Sequence, residues 1–306
     1  MDSSTRRSLS RVAVIGTATV ASLELARIIF RNHQLFDPDC EPLVSWNPAD
    51  YGLDPERVDS VQFQSLDGTP LHGWYCRAER PIASALYCHG NTGNLTYSAG
   101  VIPLLVDAGI SVLLFDYRGY GKSEGKPSLR GLIKDGRAAA KYHDLIRPEG
   151  VPSLLYGFSL GGAVGAQALR SVRFGGLVLQ STFTNLGDMA RFKFGRIPFH
   201  LISGRELDTL RVLPDYDLPL LLLHGTEDEV VPCWMGQRLF STFPYQKELL
   251  LVEHGQHGDL YIRESERIIE GLRRLASAAA ERFTPVLAAP GMSCLSGTGF
   301  TNSALD

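Results

Sequence analysis

The chain has 306 residues, 44% of them hydrophobic and 21% charged, with a formal net charge of -3; that is room for one large α/β domain or two small ones, and one is expected. A slightly acidic balance, with no long basic run outside the N-terminus, provides no field that would gather nucleic acid, so no nucleic-acid partner is expected. The five cysteines (Cys40, Cys76, Cys88, Cys233, Cys294) are odd in number, scattered and never spaced Cys-x-x-Cys, which predicts neither a zinc site nor a disulfide framework.

In chain order, Arg6, Arg7 and Arg11 precede an uncharged apolar run, 12–23, and after Glu24 and Arg27 comes a second apolar piece, Ile28-Ile29-Phe30. Three readings of residues 1–37 compete. Taken whole, 12–30 is long enough to anchor in a membrane or lie on its surface, with Glu24 and Arg27 toward one end. The basic start and short first run also fit a cleaved signal, with Thr19-Val20-Ala21 as the small-residue site, which would make the mature protein secreted or periplasmic. The third reading is an amphipathic helix lying on a cytoplasmic domain. Membrane association through 12–30 is the expectation carried forward.

Residues 38–57, rich in Pro, Asp, Trp and Gly, read as an extended linker. Residues 58–63 and 71–76 alternate apolar and polar around Asp67-Gly68, a hairpin signal. Apolar runs at 83–87, 110–115, 153–156, 177–180, 218–223 and 248–252 read as strands, and 98–108, 128–145, 234–243 and 261–282 as helices. Their alternation over 58–284 predicts a mostly parallel eight-stranded sheet covered by helices on both faces. Between 181 and 217 the pattern breaks into aromatics and arginines over a stretch much longer than a crossover needs, and 182–216 reads as a small lid. Residues 285–306, where the composition turns to Gly, Ser, Thr and Ala without periodicity, read as a disordered tail.

The chemistry gathers at the strand ends. The run 153–156 leads into Gly157-Phe158-Ser159-Leu160-Gly161-Gly162, and Gly161 to Ala168 are small and helix-compatible. Strand, sharp turn and helix would hold the Ser159 hydroxyl exposed, with the Leu160 amide as one oxyanion donor. A serine nucleophile needs an imidazole, and the imidazole needs a carboxylate. Asp228 follows one strand, in His224-Gly225-Thr226-Glu227-Asp228-Glu229, and His257 follows the next, in His254-Gly255-Gln256-His257-Gly258-Asp259. In a doubly wound sheet these ends share one edge. Glu227 and Glu229 rival Asp228, and His254 rivals His257. His224 and His89 read as structural residues that orient loops. The second oxyanion donor is expected from the loop after His89-Gly90, at the Asn91 amide.

Together with His89-Gly90-Asn91-Thr92-Gly93-Asn94 and Asp116-Tyr117-Arg118-Gly119-Tyr120-Gly121-Lys122-Ser123, these motifs resemble the α/β-hydrolase superfamily, and within it the small abhydrolase-domain proteins that include acyl-protein thioesterase-like members. The resemblance spans about 58–282 and implies Ser159 as nucleophile, Asp228 as acid and His257 as base, on an α/β-hydrolase fold. It also implies an N-terminal membrane segment in many members. One departure is Gly258, where the family usually has Asn.

Gly121-Lys122-Ser123 ends like a phosphate-binding loop, but Asp116 stands where that loop needs glycine. A non-catalytic binding protein on the same fold is a further class, and such proteins usually lack a triad member. The expectation is therefore a serine hydrolase that cleaves a small-molecule or lipid-like acyl ester or thioester through an acyl-enzyme, with no cofactor and no metal. The alternative is a serine peptidase acting on an amide.

Overall fold

The computed structural model describes residues 35–195 and 206–283. The apolar segment 12–30, the middle of the expected lid (196–205) and the expected tail (285–306) lie outside the described residues.

The chain first builds a hairpin, β1 (Val58–Gln64) and β2 (Pro70–Cys76). Gly68 takes φ +83° in the turn, a conformation that admits glycine without strain. Six strand–helix alternations follow: β3 (Ala83–Cys88), α1 (Ile102–Asp107), β4 (Ile110–Phe115), α2 (Leu129–Ile146), β5 (Ser153–Phe158), α3 (Leu160–Ala168), β6 (Gly176–Gln180), α4 (Leu186–Phe194), β7 (Leu220–Gly225), α5 (Cys233–Thr242), β8 (Lys247–Val252) and α6 (Leu260–Phe283). The eight strands form one sheet in the order β8-β7-β6-β5-β3-β4-β2-β1. Only β2 runs against its neighbours, and β4, β3, β5, β6, β7 and β8 are mutually parallel.

The apolar runs are continuous because both sheet faces are covered. Leu113, Phe115, Leu155, Leu177 and Leu179 point into one core layer, against Leu132 of α2 and Val164 of α3. Val112, Leu114, Leu154, Tyr156 and Val178 point into the other, against Ile102 of α1 and Ile268 and Leu272 of α6. Each fully buried leucine stabilises the domain by roughly 1.5–3 kcal/mol, and truncating one such as Leu155 to alanine would cost about 2–5 kcal/mol. Helix α2 starts where it does because the Ser128 hydroxyl accepts the Gly131 N–H at 3.1 Å, and it stops just before Pro148.

Two expectations need correction. The helix expected at 98–108 is broken: Leu95–Ser98 is one α turn, Ala99–Val101 a 3-10 turn, and α1 begins only at Ile102, with Pro103 in its first turn. The stretch 38–57, expected to be an extended linker, is docked on the domain. Asp37–Pro38 pairs in parallel with Thr92–Gly93 of the loop after β3, Asn94 Nδ2 donates to the Asp39 and Glu41 carbonyls at 3.1 and 2.6 Å, and Trp46 packs edge-on against His72 and Trp74. Of the expected lid, the described flanks comprise α4 and a turn at Thr209–Val212, drawn together by a bridge between Asn185 and Asp208.

Candidate active site

The end of β5 and the start of α3 carry Ser159 at φ 53°, ψ -120°, a conformation that costs a residue with a Cβ about 1–3 kcal/mol and persists only where its surroundings hold it. Three backbone contacts do so. The Ser159 N–H donates to the Gln180 carbonyl at 2.9 Å, and its carbonyl accepts from the Gly162 N–H at 3.0 Å and the Thr182 hydroxyl at 2.6 Å. The motif's glycines are required by contact: a Cβ on Gly161 would strike the Cys88 carbonyl, and one on Gly157 would strike the Gly162 backbone.

From the ends of β7 and β8 come the partners. His257 Nε2 lies 3.0 Å from Ser159 Oγ, and His257 Nδ1 lies 2.8 Å from Asp228 Oδ2. The other carboxylate oxygen of Asp228 accepts the Val230 and Val231 N–H groups at 2.9 and 2.8 Å, so the loop fixes the carboxylate before it meets the imidazole. Asp228 and Ser159 are buried, while the His257 side chain remains 19% exposed, open to an incoming substrate or water. With Nδ1–H donated to Asp228, the Nε2 lone pair faces the serine hydroxyl, the tautomer a general base needs.

The rivals fall elsewhere. His254 points outward, 70% exposed, with Nδ1 2.6 Å from Glu227 Oε1; that hydrogen bond and charge raise its pKa. Neither is bonded to Ser159. Glu229 is exposed and makes no ion pair among the described residues. His224 is fully buried as the penultimate residue of β7, a strand that runs two residues later than expected, and its Nε2 bonds the Val231 carbonyl at 2.8 Å. It thus braces the Asp228 loop, and burial lowers its pKa, keeping it neutral. Cys88, beside the site, is buried and its thiol pushed up to about 12 by desolvation, which leaves no thiolate at neutral pH.

The loop after β3 borders the serine: a Cβ on Gly90 would sit 3.6 Å from Ser159 Cβ. His89 Nδ1 bonds the Gly90 carbonyl at 2.8 Å. Neither the Asn91 N–H nor the Leu160 N–H meets an acceptor among the described residues, and Leu160 is the first residue of α3, where the helix's positive end lies. Behind the loop lies a cluster not foreseen in the sequence. Asp116, fully buried at the end of β4, accepts the Leu95 N–H at 2.6 Å and lies 3.7 Å from both His89 Nε2 and His72 Nδ1. Only its position, an acid ending an apolar strand, signalled it. A separate cleft of about 590 Å³, lined by Arg80, Ile82, Gly109 and Ser277, opens where β3 and β4 begin, the other edge of the sheet from Ser159.

Residues 86–200 match the family described as the alpha/beta hydrolase fold. An uncharacterised Escherichia coli K12 protein, YfhR, is 33% identical over 229 residues, covering 69% of this chain and 77% of that one. An uncharacterised Mycobacterium tuberculosis H37Rv protein is 29% identical over 90% of this chain and 96% of that one. Among solved structures, an esterase from Pyrococcus furiosus superposes with a TM-score of 0.62 at 23% identity, covering 81% of this chain and 98% of that one. The chain belongs to the α/β-hydrolase superfamily, and its mixed eight-stranded sheet is that fold.

Proposed function

We propose that the protein is a serine hydrolase that cleaves carboxylic ester or thioester bonds through an acyl-enzyme. The observation that carries the reading is the unbroken chain Asp228–His257–Ser159, with contacts of 2.8 and 3.0 Å. Ser159 Oγ attacks the acyl carbonyl while its proton passes to His257 Nε2, and the resulting imidazolium is stabilised by Asp228. The tetrahedral oxyanion is held by the Leu160 and Asn91 amides, a type of contact whose removal costs about 10²–10³-fold in kcat. Collapse expels the alcohol or thiol, which takes the proton from His257. Water, deprotonated by His257, then releases the acid and restores the serine. The Pyrococcus furiosus neighbour is an esterase, which supports the ester reading.

We also propose that the protein associates with membranes through 12–30, a reading supported by that segment's composition and by a Saccharomyces cerevisiae relative, 25% identical, named an uncharacterised membrane protein. The test of the chemistry is turnover of a chain-length series of p-nitrophenyl esters and an acyl thioester by the full chain and by Ser159→Ala. The substituted protein should lose nearly all turnover. Undiminished hydrolysis by Ser159→Ala would end the proposal, and turnover of peptides but of no ester would move it to the amide hydrolases.

A further inference from the structure

We infer that residues 37–41 form a strap that positions the oxyanion loop, so that a segment preceding the hydrolase domain acts as part of its transition-state machinery. The inference rests on the serine-hydrolase reading.

The argument starts from the peptide units around Asn91. The Asn91 N–H shares a planar trans unit with the Gly90 carbonyl, so the two point in opposite directions. His89 Nδ1 draws the Gly90 oxygen to one side at 2.8 Å and thereby sends the Asn91 N–H to the other. That unit is fixed only if the next one cannot rotate. The next carbonyl, Asn91 O, accepts two donors, the Asp37 N–H at 3.1 Å and the Tyr120 hydroxyl at 2.8 Å. Two residues on, the Gly93 carbonyl accepts the Asp39 N–H at 2.9 Å, which closes the short parallel pair. Pro38, between the two donors, has no N–H, and in a parallel pair alternate residues donate, so proline is tolerated there.

The strap is itself held. Phe36 is buried in the core layer that contains Tyr120 and Leu160, and the Asp39 carbonyl accepts from the Gly121 N–H at 2.9 Å and from Asn94 Nδ2 at 3.1 Å. The Tyr97 hydroxyl donates to Asp39 Oδ2 at 3.0 Å. Both peptide units flanking Asn91 are thus clamped, the first by the His89 side chain at the start of the loop and the second by groups outside it, one of them from a segment that precedes the first strand of the sheet.

Asp37→Pro deletes one N–H in an extended segment, whereas Asp37→Ala removes the side chain and keeps the N–H. The experiment measures kcat and KM for p-nitrophenyl butyrate, affinity for phenylboronic acid, whose adduct with the serine mimics the tetrahedral anion, and thermal melting. For Asp37→Pro, kcat should fall roughly tenfold at unchanged KM, as expected for one neutral hydrogen bond, with boronate affinity falling in parallel. Asp37→Ala, which keeps that N–H, should lose much less kcat and boronate affinity than Asp37→Pro. Adding Tyr120→Phe, which frees the Asn91 carbonyl of its other donor, should bring the loss to about 10²-fold. If Asp37→Pro does not fold, Phe36→Ala, which removes the plug and keeps every donor, should show the same loss of kcat. A folded Asp37→Pro or Phe36→Ala with wild-type kcat and boronate affinity overturns the strap. Failure of the wild type itself to turn over ester or bind boronate instead overturns the serine-hydrolase reading.

Discussion

Replacing Asp228 by asparagine probes the site at its most constrained atom. One oxygen of Asp228 accepts two backbone N–H groups, from Val230 and Val231, and the other faces His257 Nδ1 at 2.8 Å. An amide must therefore keep its oxygen on the loop, because an NH₂ group there would confront two donors. Its nitrogen is then left facing His257 and donates to Nδ1. The imidazole has to carry its proton on Nε2, where it meets Ser159 Oγ as a donor and cannot take the hydroxyl proton. The fold stays intact, since the loop keeps both hydrogen bonds. On the triad template the loss is about 10⁴-fold in kcat, or about 5.4 kcal/mol at 1.36 kcal/mol per decade. The assay is steady-state hydrolysis of p-nitrophenyl butyrate by wild type and Asp228→Asn with matched melting temperatures. A variant within tenfold of wild type would refute the reasoning, because Asp228 would then not set the tautomer of the base.

Other consequences follow from particular contacts. Ser159 sits at φ 53°, so Ser159→Gly should be more stable than Ser159→Ala by about 1–3 kcal/mol, seen as a higher melting point in thermal scans, with both inactive. Gly161→Ala drives a methyl group into the Cys88 carbonyl and should destabilise the domain by about 1–3 kcal/mol or more while abolishing turnover. His254→Ala should leave kcat unchanged. In an NMR titration the His254 midpoint should lie above its ordinary value and return to it in Glu227→Gln; whatever this raised pKa contributes to stability is present at low pH and lost as pH rises through it, and salt will screen it. His143, fully buried between Ser84 and Ser153, has its pKa lowered to about 3 by burial. Because the unfolded chain binds that proton first, wild type should lose about 1.4 kcal/mol per pH unit from this group as pH falls from about 6.5 toward 3, a loss absent from His143→Gln in urea melts.

The fold was legible where burial on both faces leaves unbroken apolar runs: 110–115 was read to the residue, and most other strands to within one or two. The candidate site residues could be picked out because each stands just beyond such a run, and parallel strands deliver their ends to one edge, where Ser159, His257 and Asp228 meet. The docking of 37–41 was not, because it is made by backbone N–H and carbonyl groups, which leave no trace in side-chain composition; Pro and Asp there resemble any linker. The Asp116 cluster escaped for another reason. His72, His89 and Asp116 lie on three separate strands or their ends and meet only once β2, β3 and β4 are side by side. The break in 98–108 was signalled by Gly100 and Pro103, which the hydrophobic period outweighed.

The most direct test of the central claim is where a fluorophosphonate attaches. Peptide mass spectrometry of the labelled full chain should find one adduct, on Ser159, formed at a rate that collapses in His257→Gln and is unaffected in His254→Ala. An adduct on another residue, or none on a folded protein, would contradict it.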